Sequence, residues 1–131
     1  MELRNLEKQG FPFFAGTLTV EKNFNLSDKN KKIVFRKKGI NAICVEINEH
    51  AAGKILWTPT ELDISKFLVE GKNKIRLTII NNLRNMLGPH HLKDGESYLV
   101  DPGAFYKEAC VWCLESYGWK EEYCFAEVGL F

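Results

Sequence analysis

Apolar and polar residues alternate along several short stretches of this chain, and turn-forming residues separate the stretches. In Thr17–Leu26 the apolar residues share one face, and only Lys22 interrupts it, as expected at a sheet edge or a bulge. The same period of two recurs in residues 42–48 and 74–80. This alternation predicts half-buried antiparallel strands. The residues predicted to face inward are Leu18, Val20, Phe24, Leu26, Ile43, Val45, Ile47, Ile75, Leu77 and Ile79.

The segments between these strands predict shorter elements. Ile64, Phe67 and Leu68 have the i, i+3, i+4 spacing of a helical turn. In chain order we expect a short strand at 33–35, a solvated basic loop (Arg36-Lys37-Lys38) within 36–41, a hairpin turn at 48–53 with its return strand at 54–57, the helical turn at 62–68 and a tight turn at 71–73.

The C-terminal part predicts a long connection and two closing strands. Residues 83–107 contain turn residues and have room for short helical pieces, whereas 109–114 and 123–130 predict strands. In the last strand Cys124, Ala126, Val128 and Leu130 share a face. Many short strands with almost no helix predict an all-β fold, an antiparallel β-sandwich of one domain spanning residues 1–131.

Charge and hydrophobicity exclude several classes of partner. The chain has 18 Lys and Arg against 17 Asp and Glu, a net charge of +1, so no strong field favours nucleic acid or an anionic membrane. No apolar run approaches the ~20 residues that span a bilayer. The first residues lack the apolar segment of a signal peptide, which predicts a cytoplasmic location.

The chain has four cysteines, and Cys110 and Cys113 form a CxxC pair. Since 109–114 predicts a strand, the two thiols would point to opposite faces. We expect buried, reduced thiols that pack as small apolar groups, with zinc binding and disulfide or redox use as alternatives. Adjacent His90 and His91 rarely point the same way, so neither a metal site nor a cofactor is predicted.

Residues 81–91, here called the polar loop, follow a predicted strand and break the periodic pattern. The polar loop packs three Asn, one Arg and two His into eleven residues. Arg84 offers five donors in a rigid fork, so it is predicted to brace the loop against the sandwich, and a sugar contact is the alternative. Leu83, Met86 and Leu87 have helical spacing, so they are predicted to face the core as one turn that ends at Gly88.

Aromatic and acidic residues are further candidates for a sugar-binding or catalytic site. Trp57 and Trp112 are predicted to pack, whereas Trp119 follows a Tyr-Gly turn and is predicted to be an exposed platform for a sugar ring. Glycoside hydrolysis requires two suitably spaced carboxylates. The pairs Glu46 with Glu49 and Glu121 with Glu122 are predicted to be surface charges, so no catalytic residue is assigned. The candidate ligand-binding residues are Arg84, Asn85, His90, His91 and Trp119.

The order of motifs in residues 16–81 adds a family resemblance. The motifs are, in order, Ala42-Ile43-Cys44-Val45-Glu46-Ile47-Asn48, Ala52-Gly53-Lys54, Trp57-Thr58-Pro59, Leu62-Asp63-Ile64-Ser65, Phe67-Leu68, Gly71-Lys72-Asn73 and the strand from Ile75 to Ile80. This order resembles the galactose-binding-like, jelly-roll domain of family-2-type glycoside hydrolases. The polar loop and final strands are similar to those of C-terminal versions of that domain in large bacterial glycosidase-like proteins.

The resemblance implies a role without catalysis. In the resembled enzymes the catalytic carboxylates lie in a separate barrel, so the chain is expected to be an accessory domain within a larger multidomain protein. Its role would be structural or would support carbohydrate recognition, and a carbohydrate-binding module with its own sugar site is the alternative. The expected partners are neighbouring domains and carbohydrate.

Overall fold

A computed structural model describes residues 2–27, 30–92, 100, 102–107 and 119–131. The predicted strand at 109–114, its CxxC pair and Trp112 lie outside the described residues. In chain order the strands are β1 (Thr17–Leu26), β2 (Lys32–Val34), β3 (Lys37–Lys38), β4 (Ile40–Ile47), β5 (His50–Ile55), β6 (Glu61–Asp63), β7 (Gly71–Asn81) and β8 (Gly129–Leu130). The helical pieces are 3-10 turns at Leu6–Gln9, Ser65–Phe67 and Pro102–Phe105 and the single α-turn α1 at Arg84–Leu87.

The four long strands form an antiparallel sheet in the order β1-β7-β4-β5. The register sets Leu18 opposite Ile79, Ile79 opposite Ile43, and Ile43 opposite Ile55, so one row of branched side chains crosses the whole sheet. Ile43, Val45 and Ile47 are at most 1% exposed. The predicted alternation of these strands is therefore confirmed.

A second layer covers the inner face of this sheet. It consists of the pairs β2·β6 and β3·β8 together with the N-terminal 3-10 turn. At Gly53 a side chain would lie 2.8 Å from Leu62, which shows how closely β6 crosses β5. The shared core contains Leu6, Ile40, Ile43, Val45, Ile47, Ile55, Ile64, Leu68, Leu77, Ile79, Val128 and Leu130. The fold is an all-β, antiparallel sandwich, as predicted.

The β4–β5 hairpin is tighter than the sequence indicated. Its turn is only Asn48 and Glu49, with φ angles of 50° and 68°, and β5 begins at His50. Two consecutive positive φ angles match the right-handed twist of the flanking strands, and Asn tolerates this conformation. Because the return strand ends at Ile55, Trp57 lies beyond it and is 75% exposed. The predictions of a return strand at 54–57 and of a packed Trp57 were wrong.

The basic run at residues 36–38 is not a solvated loop. Lys37 and Lys38 form β3, which pairs with β8. The Lys37 ammonium donates to the carbonyls of Ile40, Asn41 and Leu56 at 2.8, 3.0 and 2.7 Å. Long side chains bury their stems while the ammonium finds oxygen partners, and here those partners are backbone carbonyls at the start of β4 and just after β5.

Three smaller boundaries also differ from the predictions. Residues 61–63 form β6, so only Ser65–Phe67 remains helical in the predicted turn. The predicted tight turn at 71–73 is part of β7, where buried Asn73 donates to the carbonyls of Val69 and Gly71. The closing strand shrinks to β8, although Ala126, Val128 and Leu130 are buried on alternate positions as predicted.

Candidate functional site

Side-chain amides fold the start of the polar loop back onto the sandwich. Asn81 ends β7 and donates to the carbonyl of Phe14 at 2.6 Å, while its own oxygen accepts from the backbone of Asn82. Asn82 in turn accepts from the N–H of Arg84 at 3.0 Å. Such short-range side-chain bonds stabilise a turn at the end of a strand. Both amides are therefore committed to the fold.

Asn85 is the most deeply buried polar side chain of the loop, at 2% exposure. Its amide donates to the carbonyl of Ala126 at 2.8 Å and accepts from the N–H of Ala126 at 2.9 Å. The Asn85 side chain exchanges two hydrogen bonds with the backbone of Ala126, as one strand residue does with its partner on a neighbouring strand. Asn85 thus joins the polar loop to residues that are far away in sequence.

Arg84 is half-buried and supports the loop from within. Its guanidinium donates to the carbonyl of Pro89 at 2.7 Å. The loop folds against the sandwich as expected, and the Asn85 amide bonds it to Ala126 of the C-terminal segment. Leu83, Met86 and Leu87 are 50, 47 and 61% exposed, so the prediction that they face the core was wrong. A single turn has one inward position, and the buried amide takes it.

The two histidines lie at the end of the polar loop, and their ring nitrogens form hydrogen bonds with backbone carbonyls. His90 Nε2 donates to the carbonyl of Asn85 and His91 Nδ1 to the carbonyl of Lys120, both at 2.9 Å. Each ring nitrogen that faces a carbonyl must carry the proton. No group of three His, Cys, Asp or Glu that could hold a metal ion occurs in the described part of the chain.

Six rings meet at this place and are called the aromatic cluster: Phe13, His90, His91, Trp119, Tyr123 and Phe125. His91 stacks on Trp119 with ring centres 4.7 Å apart, and Tyr123 lies 5.0 Å from His91. Phe13 contacts Phe125 edge to face at 5.0 Å. The N-terminal segment, the polar loop and the C-terminal segment thus converge here.

The cluster contains three of the five candidate residues, His90, His91 and Trp119, whereas Arg84 and Asn85 bond to backbone groups nearby. Trp119 is half-buried beneath its His91 stack, so it is not the exposed platform that its turn predicted. The exposed rings are Tyr123 at 56% and Phe13 at 45%. Phe13 was missed, and the signal that could have revealed it is the aromatic run between two glycines at residues 10–16.

The acidic pairs are engaged with basic side chains. Glu46 accepts from Arg76 at 3.0 Å, and Glu49 lies beside this ion pair in a small pocket with Lys74. The hydrogen bond from Lys107, with its positive charge, lowers the pKa of Glu121. Glu122 lies 3.7 Å from the Lys120 ammonium. A glutamate that acts as a general acid needs a raised pKa. The ion pair with Lys107 instead lowers the pKa of Glu121.

Comparison with solved structures shows what this fold is similar to. Part of the rhamnosidase from Novosphingobium sp. PP1Y has a similar fold, with a TM-score of 0.51 and 23% sequence identity. The similar region covers 63% of this chain and 8% of the rhamnosidase chain. No protein-family profile matches the chain. No curated protein matches its sequence.

Within the described residues, no helix is long and apolar enough to cross a membrane.

Proposed function

We propose that the chain is a non-catalytic accessory domain of a glycoside-hydrolase-type protein, with a mainly structural role. The observation that carries this proposal is the fold similarity to a small part, 8%, of a rhamnosidase, an enzyme that acts on glycosides. A fold alone is weak evidence for an activity. It is better evidence for a domain type, and this type is compatible with the galactose-binding-like, jelly-roll resemblance of residues 16–81.

The polar loop supports the structural role. A sugar site needs polar groups that are free to reach hydroxyls, whereas Asn81, Asn82 and Asn85 bond to the backbone of the domain itself. The loop that carries most of the chain's candidate chemistry therefore serves to hold the sandwich together. Neighbouring domains of a longer chain are the partners that this role requires.

The catalytic part of the proposal is tested with the chain of residues 1–131. We expect no hydrolysis of a panel of aryl glycosides that includes an aryl rhamnoside, because no acidic pair among the described residues is arranged for acid and base work. Turnover by a pure sample that is abolished by Glu46→Gln or Glu121→Gln would overturn the proposal.

A carbohydrate-binding module is the second candidate, and exposed aromatic rings favour it. Tyr123 is 56% exposed in the aromatic cluster, and Trp57 is 75% exposed elsewhere on the surface. Flat rings of this kind stack on the apolar faces of sugars. Binding on a glycan array that is lost in Tyr123→Ala or Trp57→Ala, with an unchanged melting temperature, would establish this candidate instead of the structural role.

A further inference from the structure

Strand β1 is a long, regular edge of the four-stranded sheet. It has ten residues and pairs with β7 without any register shift, and β7 is its only neighbour in the sheet order of the described residues. In an antiparallel edge strand, every second residue points its N–H and C=O away from the sheet. The other edge, β5, is crossed closely by β6 at Gly53. Among the described residues, no strand pairs with the outer edge of β1.

A groove of about 480 Å³ lies over β1 and β7, next to this edge. Leu3, Val20, Ile75 and Leu77 supply its apolar walls, and Glu21 and Lys22 also line it. Lys22 occupies an inward position of β1, opposite Ile75, but is exposed because the second layer does not cover it. The groove thus offers apolar surface next to unpaired backbone groups.

Lys22 is unlike the other charges of this region. Its neighbour Glu21, on the opposite face, pairs with Lys74 at 2.7 Å and with Arg76 at 2.5 Å. Lys22 has no ion-pair partner among the described residues. An ammonium without a counter-charge, beside an apolar groove, is complementary to a carboxylate that arrives together with apolar side chains.

The sequence of β1 disfavours antiparallel pairing with a second copy of the strand, because two lysines would face each other. In the antiparallel register that overlaps residues 18–26, Leu18 would face Leu26 and Val20 would face Phe24 of the other copy. Lys22 would then face Lys22, and like charges directly opposite each other destabilise strand pairing. One side chain therefore weakens self-pairing that is otherwise favourable, and a carboxylate at that position would convert the repulsion into attraction.

We propose that the outer edge of β1, which no described strand pairs with, binds an extended peptide segment by strand addition. The segment has apolar side chains at alternate positions and an acidic residue opposite Lys22. The main-chain bonds of the edge supply affinity, while the groove and Lys22 select the side chains, as in other cases of strand addition. This site is separate from the aromatic cluster and does not depend on the proposed accessory role.

The test uses two synthetic peptides with the sequence of residues 17–26, one unmodified and one carrying Lys22→Glu. Fluorescence anisotropy measures their binding to the wild-type chain and to the Lys22→Glu variant. We expect the wild-type chain to bind the acidic peptide about fivefold more tightly than the unmodified one, the size expected for exchanging a like-charge pair for an opposite pair. The Lys22→Glu variant should show the reverse preference.

Lys54→Glu is the matched control, because it makes the same change in net charge on an exposed residue of β5. This variant should retain the wild-type preference, and circular dichroism should show that both variants are folded. Equal binding of the two peptides by the wild-type chain, loss of the preference in Lys54→Glu, or no binding of the acidic peptide at millimolar concentration would each overturn the proposal.

Discussion

Asparagine side chains complete the hydrogen bonding where β4 and β7 end. Asn48 donates to the carbonyl of Phe67 and to Asn73 after β4, while Asn81 and Asn85 bond to backbone groups after β7. An amide is neutral and carries both donors and acceptors, so it can be buried at a lower cost than a charge when each group is paired. These residues therefore act as fixed parts of the backbone network.

Asn85→Ala should lower the melting temperature by several degrees. The variant leaves the N–H and C=O of Ala126 buried without partners, and each stranded group costs about 1–3 kcal/mol. Met86→Ala is the matched control because Met86 lies on the same turn but is 47% exposed, and it should be close to neutral. Thermal denaturation that finds the control at least as destabilised as Asn85→Ala would contradict this assignment.

The sequence could predict that the polar loop folds against the sandwich, but not that Asn85 is its buried residue. Its composition requires that its own polar groups be satisfied, and this explains why its folding against the sandwich was foreseen. Arg84 has more donors than Asn85, so composition favours Arg84 as the brace and does not indicate that Asn85 is buried against Ala126. Which residue lies inward depends on where residues 124–128 pass, and that long-range arrangement leaves no trace in the local spacing of residues 83–87.

At the scale of elements, an ion-pair ladder crosses the outer face of the main sheet. Glu21 on β1 pairs with Lys74 and Arg76 on β7, and Arg76 also reaches Glu46 on β4 at 3.0 Å. The hydrogen bonds from Lys74 and then Arg76 hold the pKa of Glu21 below its ordinary value. The ladder links three neighbouring strands, but its side chains are partly exposed, so its contribution is screened by salt.

Glu21→Gln should destabilise the chain at neutral pH and in low salt. A lowered pKa in the folded state means that Glu21 contributes stability above its unfolded-state pKa and loses it as pH falls through the folded value. The difference in melting temperature between wild type and variant should therefore be present at pH 7 and shrink below pH 4.5, the ordinary pKa of a glutamate.

Glu70→Gln removes the same charge from an exposed residue outside the ladder and serves as the control. Added salt should reduce the effect of Glu21→Gln more than that of Glu70→Gln. A difference that persists unchanged at acidic pH would mean that Glu21 acts through its shape rather than its charge.

Strand length decided how well most elements could be predicted, although the three-residue β2 was predicted one residue further along, at 33–35. The apolar alternation identified β1, β4 and β7, each at least eight residues long, with nearly correct inward faces. By contrast, β3, β6 and β8 have two or three residues, too few to show a period. Each exists because a distant segment pairs with it, as β3 does with β8.

At the scale of the whole molecule, the N-terminal and C-terminal segments close the sandwich together. The N–H of Leu6 donates to the carbonyl of Val128, and the N–H of Leu130 donates to the carbonyl of Leu3. Gly39 lies against the same segment: a side chain there would meet the Glu127 carbonyl at 2.8 Å and Val128 Cγ2 at 2.9 Å. The closure thus depends on a close approach that only glycine permits.

Gly39→Ala should destabilise the chain more than Gly71→Ala. Both glycines have positive φ, 63° and 84°, so both variants carry roughly 1–2 kcal/mol of backbone strain. No atom lies within 4 Å of a side chain built at Gly71, whereas at Gly39 overpacking adds about 1–3 kcal/mol. Urea denaturation of the two variants compares them, and equal losses would show that residues 127–128 can move aside.

The closure of the two ends also determines how the domain responds to tension. Leu3 and Leu130 are joined by a hydrogen bond of 2.7 Å, so the points at which a pulling force enters and leaves lie side by side. Such a force opens the Leu3–Leu130 and Leu6–Val128 bonds one after the other, and it does not shear β1, β7, β4 and β5 past one another. Pulling residues 3 and 130 apart should therefore lengthen the chain at low tension while its four-stranded sheet stays intact.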